Sequence, residues 1–185
     1  MKKIFFILFY FIYVSCFAEI KILNFNKEIE ITDFGKKVNV KIKAQVNLQD
    51  RKYYYKGWDY IFDPKQTIQI SSAEVVGKKF KTLFGNNTLK FEFDKAFNGD
   101  ILEFNFKYLE YDNKTNKYTR HEYISLPSFA KNASGELKII IPTEYIVYSL
   151  NPNFKQNANI YTWIGKINDK GFSDIFDLTL KKATW

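Results

Sequence analysis

His121 is the sole histidine of this chain and Cys16 its sole cysteine. Little chemistry can be assembled from such a set. A zinc site needs several His, Cys or carboxylate ligands at fixed geometry, and a Cys-His dyad needs both residues side by side. A Ser-His-Asp arrangement stays formally open, but the chain has no G-x-S-x-G elbow. His121 lies within Tyr118 to Leu126, on the strand face shared with Thr119 and Tyr123, and reads as structural. Carboxylate pairs such as Asp174 with Asp177, or Glu103 with Glu110, have the residue types for glycosidic cleavage. Among 20 acidic residues such pairs arise by chance. Asp112 to Asn116 (DNKTN) offers oxygen ligands, yet it holds one carboxylate, a central lysine and no bidentate Glu at calcium-loop spacing. It reads as a hairpin turn. No cofactor and no metal are expected, and a hydrolase built on His121 is the enzyme-class alternative.

The least ordinary segment is KYYYKGWDYIF, Lys52 to Phe62. Tyr53, Tyr55, Trp58 and Tyr60 crowd together there with Tyr54. Flat rings with a polar handle stack on sugars and are enriched at protein interfaces. These four are therefore the candidate binding residues, for a glycan or a peptide. The competing reading is that the rings cap one end of a hydrophobic core.

These residues must be placed by strands. Val38, Val40, Ile42, Ala44, Val46 and Leu48 alternate with Asn39, Lys41, Lys43, Gln45 and Asn47, a period of two that marks a half-buried strand. Asn98-Gly99 then opens a second clear strand, with Leu102, Phe104, Phe106 and Tyr108 on the core face and Glu103, Asn105 and Lys107 outside. Tyr118 to Leu126 is expected to return beside it as a long hairpin. Glu19 to Phe25 and Glu28 to Ile31 read as two strands broken at Asn26-Lys27. GNNT, Gly85 to Thr88, joins Gly77–Phe84 to Leu89–Asp94 as a hairpin. Further strands are expected at Thr67–Ser72, Glu136–Ile141, Glu144–Leu150, Ile160–Ile167 and Ile175–Leu180. A short helix is conceivable between Asp50 and Phe62, and NPNFKQNAN reads as a polar turn region. Roughly nine to eleven strands spaced by turns predict an all-β, antiparallel β-sandwich of immunoglobulin-like or supersandwich-like type.

The N-terminus, MKKIFFILFYFIYVSCFA, has two lysines, an apolar run from Ile4 to Val14, and small residues before Glu19. That order is a bacterial-type secretory signal, cut after Ala18. The run is short for a spanning helix, which needs roughly 20 residues. Lipidation at Cys16 is the variant reading. The organisation expected is thus a signal peptide over 1–18 and one sandwich domain over 19–185. Removing Lys2 and Lys3 takes the 28 basic residues to 26 against 20 acids, a net +6. The lysines are spread along the chain and only Arg51 and Arg120 are arginines, so nucleic-acid binding is not expected. A protein or an envelope glycan is the expected partner, with no membrane span in the mature chain.

NGDILEFNFKYLEY, HEYISLP, ELKIIIPTEYIVYSL and NIYTWIGKI follow one another between Phe97 and Ile167. Their order resembles a β-sandwich found at the N-terminus of bacterial transglutaminase-like proteins, in which a Gly-Asp pair opens a strand of the form GDxIEYxYxY. The resemblance implies a secreted accessory sandwich preceding a papain-like domain with a Cys-His-Asp triad. None of that triad carries over, because the mature chain has no cysteine. The chain ends at Trp185, about where the next domain would begin, so the expectation is a stand-alone relative or the N-terminal part of a longer protein. The function expected is that of an exported, non-catalytic accessory or interaction domain of a bacterial cell envelope.

Overall fold

The computed structural model describes residues 19–47, 55–97, 100–112, 119–150, 153–167 and 175–183. The expected leader, with the expected cut after Ala18 and with Cys16, the residues Tyr53 and Tyr54, and most of the DNKTNK turn lie outside the described residues. Thirteen strands are found among those described, with one 3-10 turn at Ser128–Ala130. They are β1 (Glu19–Thr32), β2 (Gly35–Asn47), β3 (Tyr55–Ile61), β4 (Thr67–Val75), β5 (Phe80–Gly85), β6 (Thr88–Phe97) and β7 (Ile101–Tyr111). After these come β8 (Thr119–Ser125), β9 (Ser134–Ile140), β10 (Tyr145–Leu150), β11 (Lys155–Asn157), β12 (Ile160–Lys166) and β13 (Ile175–Lys182).

One large sheet runs β11-β12-β9-β1-β2-β7-β4, and two small ones run β10-β13-β8 and β3-β6-β5. Both small sheets lie on the same face of the large one, which makes the architecture a β-sandwich. Period two explains why. Val38, Val40, Ile42 and Ala44 of β2 are each at most 2% exposed, and Leu102, Phe104 and Phe106 of β7 are 1% exposed. Glu103 and Lys107 point the other way, to solvent. The β3-β6-β5 sheet packs on β7 through rings: Trp58 against Phe104 at 4.7 Å, Tyr60 against Phe106 at 4.7 Å, Phe62 against Tyr108 at 4.9 Å. The β10-β13-β8 sheet covers the other end, with Phe176 5.3 Å from Trp163.

Four expectations are corrected. β1 is one strand of 14 residues, and its break is a register shift between Ile22 and Asn24 rather than a turn at Asn26-Lys27. The segment around Trp58 is a strand, not a helix. The polar stretch after Pro152 contains the short strand β11. Most consequentially, β7 and β8 form no hairpin. β7 is filled on both edges, by β2 and β4, and β8 crosses to the opposite sheet to pair with β13. The chain then returns through the 3-10 turn to set β9 parallel to β1, a pairing that needs such a crossover. The GNNT hairpin is present as β5-β6, with Asn86 (φ 50) and Asn87 (φ 53) both left-handed as a type I′ turn requires.

Candidate functional site

Crossing to the small sheet places β8 beneath the start of β2. Arg120, Glu122 and Ile124 are buried, while His121 and Tyr123 face out. Lys36 stands directly opposite Glu110 in the β2–β7 register, on the same inner face. Its Nζ donates to Glu122 Oε2 at 2.8 Å and pairs with Glu110 Oε1 at 2.7 Å. Arg120 Nε donates to Glu122, Nη1 to the carbonyl of Thr32, and Nη2 to the carbonyl of Gly35 at 2.9 Å. Two cations and two carboxylates thus balance each other between the sheets. Gly35 is required here: a Cβ would sit 1.9 Å from the Glu110 carbonyl oxygen, with φ at +149°. Burial pulls the Lys36 ammonium down, but Glu110 and Glu122 together outweigh it and leave Lys36 above the ordinary lysine range.

Lys27 adds a fifth charge. In cross-strand register it lies between Leu137 and Val40, in a row otherwise apolar. Its Nζ donates to the carbonyl of Ser125 at 3.3 Å. Burial brings its pKa down to about 8, against a smaller opposing pull from Glu110. Each member of this cluster was detectable as a charge in phase with an apolar alternation. Lys36 keeps the phase of Val38, Glu110 that of Tyr108, Arg120 and Glu122 that of Ile124. Of these, only Glu110 is a candidate from sequence, and there as half of a carboxylate pair with Glu103 rather than as a partner of Lys36.

Of the residues singled out for binding, Trp58 and Tyr60 meet edge to face at 6.0 Å on β3. Tyr60 is 6% exposed and burial raises its phenol pKa; Trp58 is half-buried and meets Phe91, Phe104 and Phe129. Tyr60 belongs to the core, and Trp58 packs against it while keeping part of its surface exposed. Tyr55 opens β3, and Tyr53 lies outside the described residues. His121 stands on the outer face of the small sheet, its Nδ1 3.1 Å from Thr179 Oγ1. A hydroxyl beside an imidazole is the start of a nucleophile–base pair. The imidazole stands on an exposed strand face, and no group of three or more His, Cys, Asp or Glu that could hold a metal occurs among the described residues. Of the carboxylate pairs, Glu103 faces solvent and Glu110 the core, because an odd spacing along one strand puts them on opposite faces.

A cleft of about 570 Å³ opens where β10 and the β11–β12 hairpin part. Tyr145, Ile146 and Val147 form one wall, Gln156, Ala158 and Tyr161 the other. Tyr145 is anchored by its hydroxyl, which donates to Asp33 Oδ1 at 3.0 Å. That bond, with Lys182 beside it, holds the Asp33 carboxyl below the usual range. Beside the cleft, on the outer face, Ile146 is 59% and Tyr148 68% exposed, and Lys181 Nζ lies 3.8 Å from the Tyr148 ring centroid.

No protein-family model matches the sequence, and no curated protein does. The fold is similar to that of M1 zinc metallopeptidases. One from Deinococcus radiodurans matches with a TM-score of 0.55 at 6% identity, over 89% of this chain and 43% of that one. A two-domain M1 zinc metallopeptidase bound to L-arginine matches with a TM-score of 0.56 at 7% identity, over the same shares. Leukotriene A4 hydrolase from Saccharomyces cerevisiae matches at 0.52 and 10% identity, over 87% of this chain and 29% of that one. These matches overturn the transglutaminase-like resemblance. Its signals, alternating aromatics and Pro-interrupted strand pairs, are properties of sandwiches in general, and the β7–β8 succession on which it leaned is not a hairpin. This chain spans less than half the length of the structures it matches, and at such identities the likeness is one of fold alone.

Proposed function

We propose that this chain is an exported, non-catalytic accessory β-domain of a bacterial cell envelope that works by contact. The observation that carries this reading is one of extent: the fold accounts for nearly all of this chain and for a minority of the enzymes that share it. We read the matched portion of those enzymes as their non-catalytic β-domain. The charged groups support it from another side. Lys36, Glu110, Arg120 and Glu122 are spent on one another, and buried ion sets of this kind fix how elements meet rather than reach a substrate. Export rests on the residue order of the leader. The test is turnover. The purified protein, supplied with zinc, is offered fluorogenic amides of L-arginine and L-tryptophan. The reading predicts no rate above buffer. A rate that His121→Ala abolishes would replace it with an enzyme.

A further inference from the structure

β10 is an edge strand of a kind proteins seldom leave open. It pairs with β13 and, among the described residues, with nothing on its other side. Sheet edges are normally blunted by charge, by Pro, or by a covering element. β10 reads Tyr145-Ile146-Val147-Tyr148-Ser149-Leu150, with no charge and no Pro, and a register shift between Val147 and Ser149 its one irregularity. Its exposed side chains include Ile146 and Tyr148. The cleft lies directly past this edge, and its second wall is the inner side of the β11–β12 hairpin. A strand laid along β10 would drop alternate side chains into that cleft, between Val147 and Tyr161. Its other side chains would lie on the outer face, beside Ile146, Tyr148 and Lys181.

We propose that β10 accepts an extended segment of a partner protein as an added strand, with apolar residues alternating with acidic ones. The apolar set fills the cleft, whose walls are mostly aliphatic and tyrosine carbon. The acidic set meets Lys181, which stacks on Tyr148 and has no carboxylate partner among the described residues. Lys155 of β11 and the net charge of +6 over residues 19–185 add to the same preference. A second copy of this chain fits less well, since its own β10 brings no carboxylate to Lys181. Strand addition of this type takes affinity from main-chain hydrogen bonds and specificity from the alternate side chains. The inference rests on the contact reading above.

The probe is a labelled synthetic peptide of alternating Val and Glu, about seven residues long, titrated into the purified protein by fluorescence anisotropy. We expect saturable binding, about tenfold weaker for the Val-Lys peptide, and lost when the Val-Glu peptide is N-methylated along one edge. Lys181→Glu should reverse the charge preference, and Ile146→Glu, which sets a carboxylate against the acidic side chains, should weaken the Val-Glu peptide without lowering the melting midpoint. Equal binding of the two peptides, undiminished binding of the N-methylated one, or no saturable binding would each overturn the proposal. So would a dimer in sedimentation that Ile146→Lys converts to monomer, which would make a second copy the occupant. Peptide binding together with amide hydrolysis would sink the non-catalytic reading and leave the edge intact.

Discussion

Lys36→Met tests whether the charge cluster is sealed between the sheets. Methionine keeps much of the lysine's apolar length and removes only the ammonium. Lys36 Nζ lies 2.7 Å from Glu110 and 2.8 Å from Glu122, so without it the two carboxylate oxygens face each other across at most about 5.5 Å, the sum of those contacts. Arg120 still holds Glu122, and Glu110 becomes the uncompensated charge, with a side chain only 13% exposed. Removing one partner of a buried pair costs about 3–5 kcal/mol. Lys27, whose charge also acts on Glu110, brings the expected loss to the low end, about 3 kcal/mol, a large part of the 5–15 kcal/mol typical of whole domains. Urea unfolding at pH 7 and pH 5 reads it out. Protonation of a carboxylate relieves the repulsion, so the deficit should shrink at pH 5. A mutant within about 0.5 kcal/mol of wild type at pH 7 would show the cluster to be solvated. An equal deficit at both pH values would assign the cost to packing rather than charge.

Lys27→Met should act in the opposite direction. With the Lys27 pKa at about 8 against an ordinary 10.5, the unfolded chain binds the proton more tightly. Stability of the wild type therefore rises between pH 8 and 10.5, and below pH 8 the full cost of about 3–3.5 kcal/mol applies; the variant should melt higher at pH 7 and lose that slope, and a lower midpoint would contradict the assignment. Phe104→Ala should cost about 3–5 kcal/mol and Lys107→Ala no more than about 0.5 kcal/mol, and coincident denaturation midpoints would refute the facing of β7. Intact mass of the exported protein should begin at Glu19, whereas a product retaining Met1, or acylated at Cys16, would refute cleavage after Ala18.

The legible parts of this fold are those where one burial face runs unbroken. β2 and β7 declare themselves because slipping either by one residue would bury its polar set. β1 reads as two strands because the shift after Ile22 resets its phase, moving Phe25, Lys27 and Ile29 onto the inner face. Lys27 then looked like a breaker, although it is a core-facing cation. Pairing was harder than existence. Two adjacent alternating segments suggest a hairpin, but whether β8 joins β7 or β13 depends on β2 and β4 having already filled both edges of β7. The aromatic segment was legible as rings and not as a direction, and Trp58 and Tyr60 turn inward because β3 faces the phenylalanines of β7. The cleft was out of reach, since it exists only where residues 141–147 and 156–161 meet across two sheets.

Amide hydrogen exchange on the purified monomer tests the contact account most directly. Its central claim is that the working surface is the open side of β10. Amides of β1, β2 and β7, each paired on both sides, should exchange slowly, near the rate set by global unfolding. Along Ile146 to Leu150, the amides that point away from β13 should exchange as fast as surface turns, and slow down when the Val-Glu peptide is added. Uniform protection along β10 in the isolated monomer would mean that its outer edge is already covered, and would contradict the account.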